Sequence, residues 1–165
     1  MVFKHIDDVT VEAKFSKDKK FRYQLVITKN GVKEGKTVCV IMQNPSDANE
    51  EIADRSVKFL ERLVFEKDIK LFTKTKKLIV VNQFGFIQKK DFVGIDEKIG
   101  NENDEYVMEA IKQTDIVVIA WGVTNDYYKR QEDIMKMILR LKKNAIYRTK
   151  KHPSRGTYLN YLEKL

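Results

Sequence analysis

The sequence predicts an α/β protein with a three-layer α/β/α fold, in which a mainly parallel central sheet of about four strands is extended by an N-terminal antiparallel hairpin. Continuous apolar runs of strand length recur along the chain, a pattern typical of strands covered on both faces. Segments with apolar residues at helical spacing separate these runs, and this alternation favours right-handed crossovers between parallel strands. Because the chain has two prolines, seven glycines and no linker-like stretch, we expect residues 1–165 to form one domain.

The first half of the chain predicts two strands and a helix. Residues 21–28 (FRYQLVIT) have the β-branched and aromatic content of a strand, and Lys29-Asn30-Gly31 predicts a hairpin or a similar reversal after it. Residues 37–42 (TVCVIM) predict the first buried strand, which ends at Asn44-Pro45. Asp54 is a candidate N-cap for a helix whose apolar positions recur at helical spacing: Val57, Leu60, Leu63 and Val64.

The second half continues the alternation of strands and helices. Three further buried strands are predicted at residues 77–84 (KLIVVNQF), 115–122 (DIVVIAWG) and 144–149 (NAIYRT). Helices are predicted between them, over residues 104–113 and around Ile134, Met137, Ile138 and Leu141. The longer connection at residues 83–103 contains three glycines and predicts a mobile flap over a pocket.

The charge distribution favours an anionic partner. Lys and Arg outnumber Asp and Glu by 32 to 24, which gives a net charge of +8. From Lys136 onward there are nine basic residues and a single acidic one, Glu163. Nucleic acid is the first partner to expect of such a surface, through long-range attraction and counterion release, although a basic surface without a partner has the same composition.

Cysteine content and hydropathy exclude several classes of protein. Cys39 is the only cysteine, so neither an intramolecular disulfide nor a cysteine-based zinc or iron–sulfur site can form within one chain. The longest apolar run, residues 116–123, is too short to span a bilayer, and the N-terminal residues carry acids where a signal peptide is apolar. We therefore expect a cytoplasmic monomer without a membrane partner, a metal or another cofactor.

Polar or aromatic residues follow each of the four buried strands. They are Asn44-Pro45-Ser46, Asn82, Trp121-Gly122 and His152-Pro153-Ser154. The carboxyl ends of parallel strands gather at one edge of an open sheet, where ligands bind, so we expect Asn44, Asn82 and His152 to converge with Trp121 nearby. Each motif also has a simpler interpretation: Asn-Pro and His-Pro-Ser form ordinary turns, an asparagine caps a strand, and a tryptophan packs in a core.

The segments IMQNPSD, LIVVNQF, IVVIAWG and KHPSRG occur in an order that resembles the uracil-DNA glycosylase superfamily, over residues 37–158. The chain resembles more closely an uncharacterised family of small bacterial and phage proteins with Asn-Pro-Ser, Trp-Gly and His-Pro motifs, which implies no activity. The first resemblance implies a single domain of that superfamily, acting in DNA repair as a monofunctional DNA glycosylase without a cofactor. Such a hydrolase flips a damaged or modified base out of double- or single-stranded DNA and cleaves its N-glycosidic bond.

The same resemblance implies a role for each motif. Asn44 would hold the attacking water, and Asp47 or Asp54 would supply a carboxylate unless each only caps a helix. His152 would stabilise the negative charge of the departing base. The base would be bound by four residues: Pro45, Asn82, Phe84 and Trp121. The DNA backbone, or the gap left by the flipped base, would be contacted by six residues: Arg148, Lys150, Lys151, Ser154, Arg155 and Tyr158.

Two positions depart from the superfamily pattern. Asn44 stands where the uracil-removing members have an aspartate, and in this it resembles the mismatch-specific branch. Ser46 stands where those members have a tyrosine that helps exclude thymine, so strict uracil specificity is not implied. Two other functions stay open: a non-catalytic module that binds nucleic acid or a nucleotide, as in phage–host conflict, and a hydrolase of free nucleosides or nucleotides.

Overall fold

The computed structural model describes residues 1–123 and 126–165. Within these ranges the chain forms nine strands: β1 (Val2–Lys4), β2 (Val9–Phe15), β3 (Arg22–Lys29), β4 (Lys36–Met42), β5 (Ile52–Asp54), β6 (Thr75–Asn82), β7 (Ile116–Ile119), β8 (Ile146–Thr149) and β9 (Leu162–Lys164). It also forms three α-helices: α1 (Arg55–Phe65), α2 (Asn103–Gln113) and α3 (Tyr128–Arg140). None of the helices in the described ranges has the length and apolar character needed to cross a bilayer.

Seven of the strands form one mixed sheet, in the order β2-β3-β6-β4-β7-β8-β9, while β1 and β5 form a separate antiparallel pair. In the large sheet the three central pairings, β6–β4, β4–β7 and β7–β8, are parallel. The three outer pairings, β2–β3, β3–β6 and β8–β9, are antiparallel. The prediction of a three-layer α/β/α fold, with a mainly parallel sheet of about four strands and an N-terminal hairpin, is therefore wrong.

The antiparallel strands were underestimated because continuous apolar runs mark only strands that are covered on both faces. Along β2 half-buried and exposed side chains alternate, which is the pattern of a strand at the edge of a sheet. Both β1 and β9 are three residues long, and neither contains a buried residue. Short strands of this kind carry almost no periodic signal.

The core elements themselves lie where their patterns predicted them. The five predicted strands correspond to β3, β4, β6, β7 and β8, and the three predicted helices to α1, α2 and α3. A turn follows β3 as predicted, with Gly31 at a φ of +81°, a conformation that glycine adopts without strain. This turn does not close a hairpin, because β6 lies between β3 and β4 in the sheet.

An apolar core lies on each face of the large sheet. Side chains of β4 alternate between the two, with Val38, Val40 and Met42 in the first core and Cys39 and Ile41 in the second. Helix α1 contributes to the first core, whereas α2 and α3 contribute to the second. The face to which a strand residue points therefore decides which helices it meets.

The chain changes direction between β4 and β7, which are neighbours in the sheet. The strand of the large sheet that follows β4 in sequence, β6, lies on the side of β4 that faces away from β7. The strand that follows β7, β8, lies on the side of β7 that faces away from β4. Such a reversal opens a crevice at the carboxyl ends of the two strands, which is where open sheets bind ligands. A ligand site is therefore expected at the carboxyl ends of β4 and β7.

His5 ties the N-terminal segment to helix α1. Its Nδ1 lies 2.9 Å from Glu61 Oε2, and its Nε2 lies 2.8 Å from the Asn49 carbonyl oxygen. Because both partners are acceptors, the doubly protonated imidazole can donate a hydrogen bond to each of them. Burial on its own lowers the pKa of His5, but the hydrogen bonds to Glu61 and Asn49 outweigh it, so that the pKa is raised above 6.5.

We expect this hydrogen-bonded pair to make stability depend on pH. A raised pKa in the folded state means that the His5 contribution is fully present below pH 6.5 and is lost as the pH rises through the raised value. Urea unfolding at a series of pH values should show this decline for the parent protein and a flatter profile for His5→Gln. Parallel profiles for the two proteins would contradict the assignment.

Candidate functional site

A cavity of about 350 Å³ opens beside the carboxyl end of β4. Its volume lies at the lower end of the range for small-ligand pockets, roughly 300–1,000 Å³. Three segments build most of its wall, namely the loop after β4, the start of α1 and the loop after β8. They bring six of the residues predicted from sequence together: Asn44, Pro45, Asp47, Asp54, His152 and Ser154.

His152 enters the cavity as a neutral hydrogen-bond donor. Its Nδ1 accepts the backbone N–H of Ser154 at 3.1 Å and lies 2.9 Å from the Ser154 hydroxyl. A ring nitrogen that accepts an N–H carries no proton, so the neutral ring is protonated at Nε2, which has no hydrogen-bond partner among the described residues. Burial lowers the pKa of His152, and the nearby Arg155 guanidinium lowers it further. The ring is therefore uncharged at neutral pH.

Two backbone carbonyls fix the side chain of Asn44. Its Nδ2 donates to the Gln88 carbonyl at 2.8 Å and to the Pro45 carbonyl at 3.2 Å. Since both partners are acceptors, the amide orientation is unambiguous, and Oδ1 is left as the acceptor. Oδ1 receives one long hydrogen bond of 3.3 Å from Gln43 Nε2, and it retains a lone pair for a water or a ligand.

Asp54 is the buried carboxylate of the cavity. Its Oδ1 accepts the Val57 N–H at 2.9 Å, which confirms the predicted N-cap of α1, and its Oδ2 accepts the Ser46 hydroxyl at 2.8 Å. Asp47 instead forms a partly exposed ion pair with Lys89 at 3.0 Å. Among the described residues no cluster of His, Cys, Asp or Glu side chains has an arrangement that could hold a metal ion.

Arg22 lines the same cavity and was missed by the sequence interpretation. It is 1% exposed, and only its Nη1 has a partner, the Ala48 carbonyl at 2.9 Å. Its Nε and Nη2 are buried without a partner in the described part of the chain. Burial lowers the pKa of Arg22 to about 10, against the opposing effect of Asp54, so the guanidinium remains charged at neutral pH. The sequence signal was an arginine at the start of a strand whose central residues, Leu25, Val26 and Ile27, are apolar.

Asn82 lies next to this cavity without being part of its wall. It ends β6, between β3, which carries Arg22, and β4, whose Met42 is its register partner. Alternation along β6 places Asn82 on the same sheet face as Val80, which is the face of the first core. The Asn82 amide is 1% exposed, and among the described residues neither its nitrogen nor its oxygen has a hydrogen-bond partner. Unpaired buried amides are rare and mark places where an ordered water or a ligand group binds.

The other predicted residues lie elsewhere. Trp121, Arg148 and Lys150 line a second cavity on the sheet face that α3 covers. The Phe84 ring packs 5.3 Å from that of Phe92, and the Tyr158 ring stacks on Phe59 of α1 with 4.6 Å between centroids. Lys151 and Arg155 are exposed, like Lys150, on the loop after β8 but line neither cavity. The structure therefore divides the predicted residues between two cavities and their surroundings.

The connection over residues 83–103, predicted as a mobile flap, is hydrogen-bonded to the rest of the structure. The Gln88 N–H donates to the Pro45 carbonyl at 3.0 Å, and the Ile87 N–H donates to the Lys20 carbonyl at 2.9 Å. Gln88 and Lys89 contribute to the wall of the first cavity. This connection therefore belongs to the site that it was predicted to cover.

The loop carrying His152 is packed against α1 through a glycine. A Cβ added at Gly156 would overlap Cζ of Phe59 and lie 2.7 Å from Cε1 of the same ring, so an alanine there forces the ring to move. We expect Gly156→Ala to lower the free energy of unfolding by about 1–3 kcal/mol, the usual cost of overpacking. Urea denaturation measures this, with the neighbouring exposed Thr157→Ala as the control that stays within about 0.5 kcal/mol of the parent. Equal stability of both variants would contradict the contact.

Comparison with known proteins places the site within a described family. The model of a family with the description "Protein of unknown function (DUF1643)" matches residues 22–155, which is more than half of the chain. No curated protein and no solved structure matches the chain.

Proposed function

The chain belongs to the DUF1643 family, whose match spans every residue of the first cavity except Met1, and we propose that this cavity hydrolyses the N-glycosidic bond of a damaged or modified base flipped from DNA. The observation that supports this most is the combination of groups in one small cavity. A water-binding amide oxygen, a buried carboxylate and a neutral imidazole donor lie together there: Asn44, Asp54 and His152.

The departing base is the first group that needs stabilisation. When the bond between C1′ and the base nitrogen breaks, its electron pair stays on the base, which becomes negatively charged. His152 donates its Nε2–H to that charge, and the buried guanidinium of Arg22 adds a positive charge nearby. Both act strongly because they are preorganised in a site of low dielectric constant.

The sugar carbon C1′ needs a negative charge beside it, and the attacking water needs a hydrogen-bond acceptor. As the base leaves, C1′ becomes electron-deficient, and the carboxylate of Asp54 stabilises that positive charge. Oδ1 of Asn44 accepts a hydrogen bond from a water, whose oxygen then bonds to C1′. The water gives up one proton to Asp54 or to solvent, and the released base takes up one proton, so that the products are a free base and an abasic sugar.

One observation favours a second function, in which the cavity binds a base or a nucleotide without cleaving it. Both N–H groups of Asn44 already donate to backbone carbonyls, as they would in a purely structural turn. An amide is also unable to act as a general base, which leaves proton transfer to Asp54 or to solvent. In this alternative the guanidinium of Arg22, which lines the cavity, contributes to ligand binding only.

A base-release assay separates the two functions. Oligonucleotides, each with one deaminated, alkylated or oxidised base, are incubated with the protein as single strands and as duplexes. Mass spectrometry detects the free base, and alkaline cleavage detects the abasic site. Hydrolysis predicts release from at least one substrate and its loss in Asn44→Ala. Salt-dependent binding that survives Asn44→Ala, with no base released from any substrate, would instead establish the binding function.

A further inference from the structure

The second cavity has the properties of a ligand site of its own. It has a volume of about 800 Å³ and lies between the carboxyl ends of β7 and β8 on one side and α3 on the other. Trp121, the only tryptophan of the chain, lines it. Four large apolar residues of its wall are each more than half exposed: Val123, Tyr128, Leu139 and Leu165. Exposed apolar side chains gathered in one cavity indicate a surface that binds a partner.

The charged residues in the wall of the second cavity indicate which class of ligand it binds. Lys136, Arg148 and Lys150 line it, and Arg148 is paired with Glu163, so that Lys136 and Lys150 are the cations without an ion-pair partner in the described part of the chain. Glu132 is the second acid of the wall. Seven of the fifteen lining residues come from the segment after residue 135, and three of these seven are basic and one is acidic. A ligand with an aromatic ring and negative charges fits this combination.

The two cavities are close neighbours at the carboxyl edge of the sheet. Lys150 lines the second cavity and His152 lines the first. Residues two positions apart in a chain are separated by at most about 7 Å. A single strand with one unit in the first cavity would reach the second by crossing this loop.

We propose that the second cavity binds the nucleotide adjacent to the target in a single-stranded nucleic acid. Trp121 and Tyr128 stack on its base, and Lys136 and Lys150 contact its phosphates. Stacking on aromatic side chains needs a base that is free of its own neighbours, which a single strand offers and a duplex does not. The assignment of the target nucleotide to the first cavity rests on the proposed function, whereas the stacking site stands on its own residues.

The single tryptophan is a built-in reporter for this site. The protein is titrated with an oligothymidylate single strand about 12 nucleotides long, within the usual length bound by such platforms, and with the same strand in a duplex with oligoadenylate. The single strand should quench the Trp121 fluorescence and bind at least about tenfold more tightly than the duplex. Added salt should weaken the binding steeply, because phosphate contacts release counterions.

Substitutions test which side chains carry the binding. Fluorescence anisotropy of a labelled single strand should show affinity losses of about tenfold or more for Trp121→Ala and for Tyr128→Ala, with partial recovery in Trp121→Phe. Tyr128 is 63% exposed, so its replacement tests the site even if Trp121→Ala does not fold. Leu159→Ala, at a residue that is 82% exposed and lines neither cavity, is the matched control and should bind like the parent.

Each outcome of these experiments either supports or overturns the proposed stacking site. Absence of quenching by the single strand, or unchanged affinity of Trp121→Ala and Tyr128→Ala, overturns it. A change in sedimentation of these variants without nucleic acid overturns it as well, because the cavity would then be an interface between copies of the chain. Quenching and variant effects in a protein that releases no base support the stacking site and reject only the proposed hydrolysis.

Discussion

His152→Ala is expected to lower the rate of base release about 100- to 1,000-fold, the usual effect of removing one donor from a site that stabilises a developing anion. The backbone N–H of Ser154 holds the His152 ring in the tautomer that carries its proton on Nε2, and the substitution removes this Nε2–H donor. Because the departing base is negative only in the transition state, substrate affinity should change far less than the rate. Single-turnover rates and binding constants of the two proteins measure both quantities.

The control for this prediction is Thr157→Ala, at an exposed residue of the same loop that lines neither cavity. Its rate should stay near that of the parent. The lowered pKa of His152 also means that the parent should keep its rate below pH 6.5, until the ring becomes protonated and loses the bond from Ser154. A His152→Ala rate equal to that of the parent would rule out the histidine as a leaving-group donor.

The second large effect is expected at Arg22, where stability and activity should move in opposite directions. Arg22→Met removes a buried charge, two of whose nitrogens have no partner within residues 1–123 and 126–165, and leaves a chain of similar length to fill the space. We expect the free energy of unfolding at pH 7 to rise by about 1–3 kcal/mol, since the lowered pKa shows that burial disfavours the charged group in the folded state. Base release should fall at least about 100-fold.

Arg22→Lys is the matched variant, because it keeps a positive charge but loses the planar set of donors. It should retain more activity than Arg22→Met while showing less gain in stability. Chemical denaturation and the base-release assay together check the pair of effects. Loss of several kcal/mol of stability in Arg22→Met would show instead that the arginine is a structural residue of the fold.

The central strands could be predicted because burial on both faces leaves continuous apolar runs, as in residues 37–42 and 77–84. The fold class could not, because it depends on strands that lack such runs. β2 alternates along its length, and β9 is three residues long and follows the loop of His152. Their pairings, together with the antiparallel pairing of β3 with β6, make the sheet mixed, and nothing in the local sequence encodes these pairings.

The site was partly predictable for a related reason. The rule that the carboxyl ends of parallel strands gather at one edge of a sheet predicted that the Asn44 and His152 loops lie together, and both loops line the first cavity. Arg22 escaped this rule because β3 is antiparallel to β6, so its beginning, and not its end, lies at the same edge of the sheet. Trp121 was misplaced beside them because strand residues alternate in direction, and Trp121 continues the series of Val117 and Ile119 toward the second core.

The position of Cys39 in the middle of β4 has a practical consequence. The side chain is fully buried in the second core, and burial raises the pKa of its thiol to about 12. A thiol that is neither ionised nor accessible does not react with alkylating reagents in the folded protein. The rate at which Cys39 is alkylated therefore reports how often the central sheet opens. It allows conformational opening to be compared among all the variants described above without introducing another cysteine.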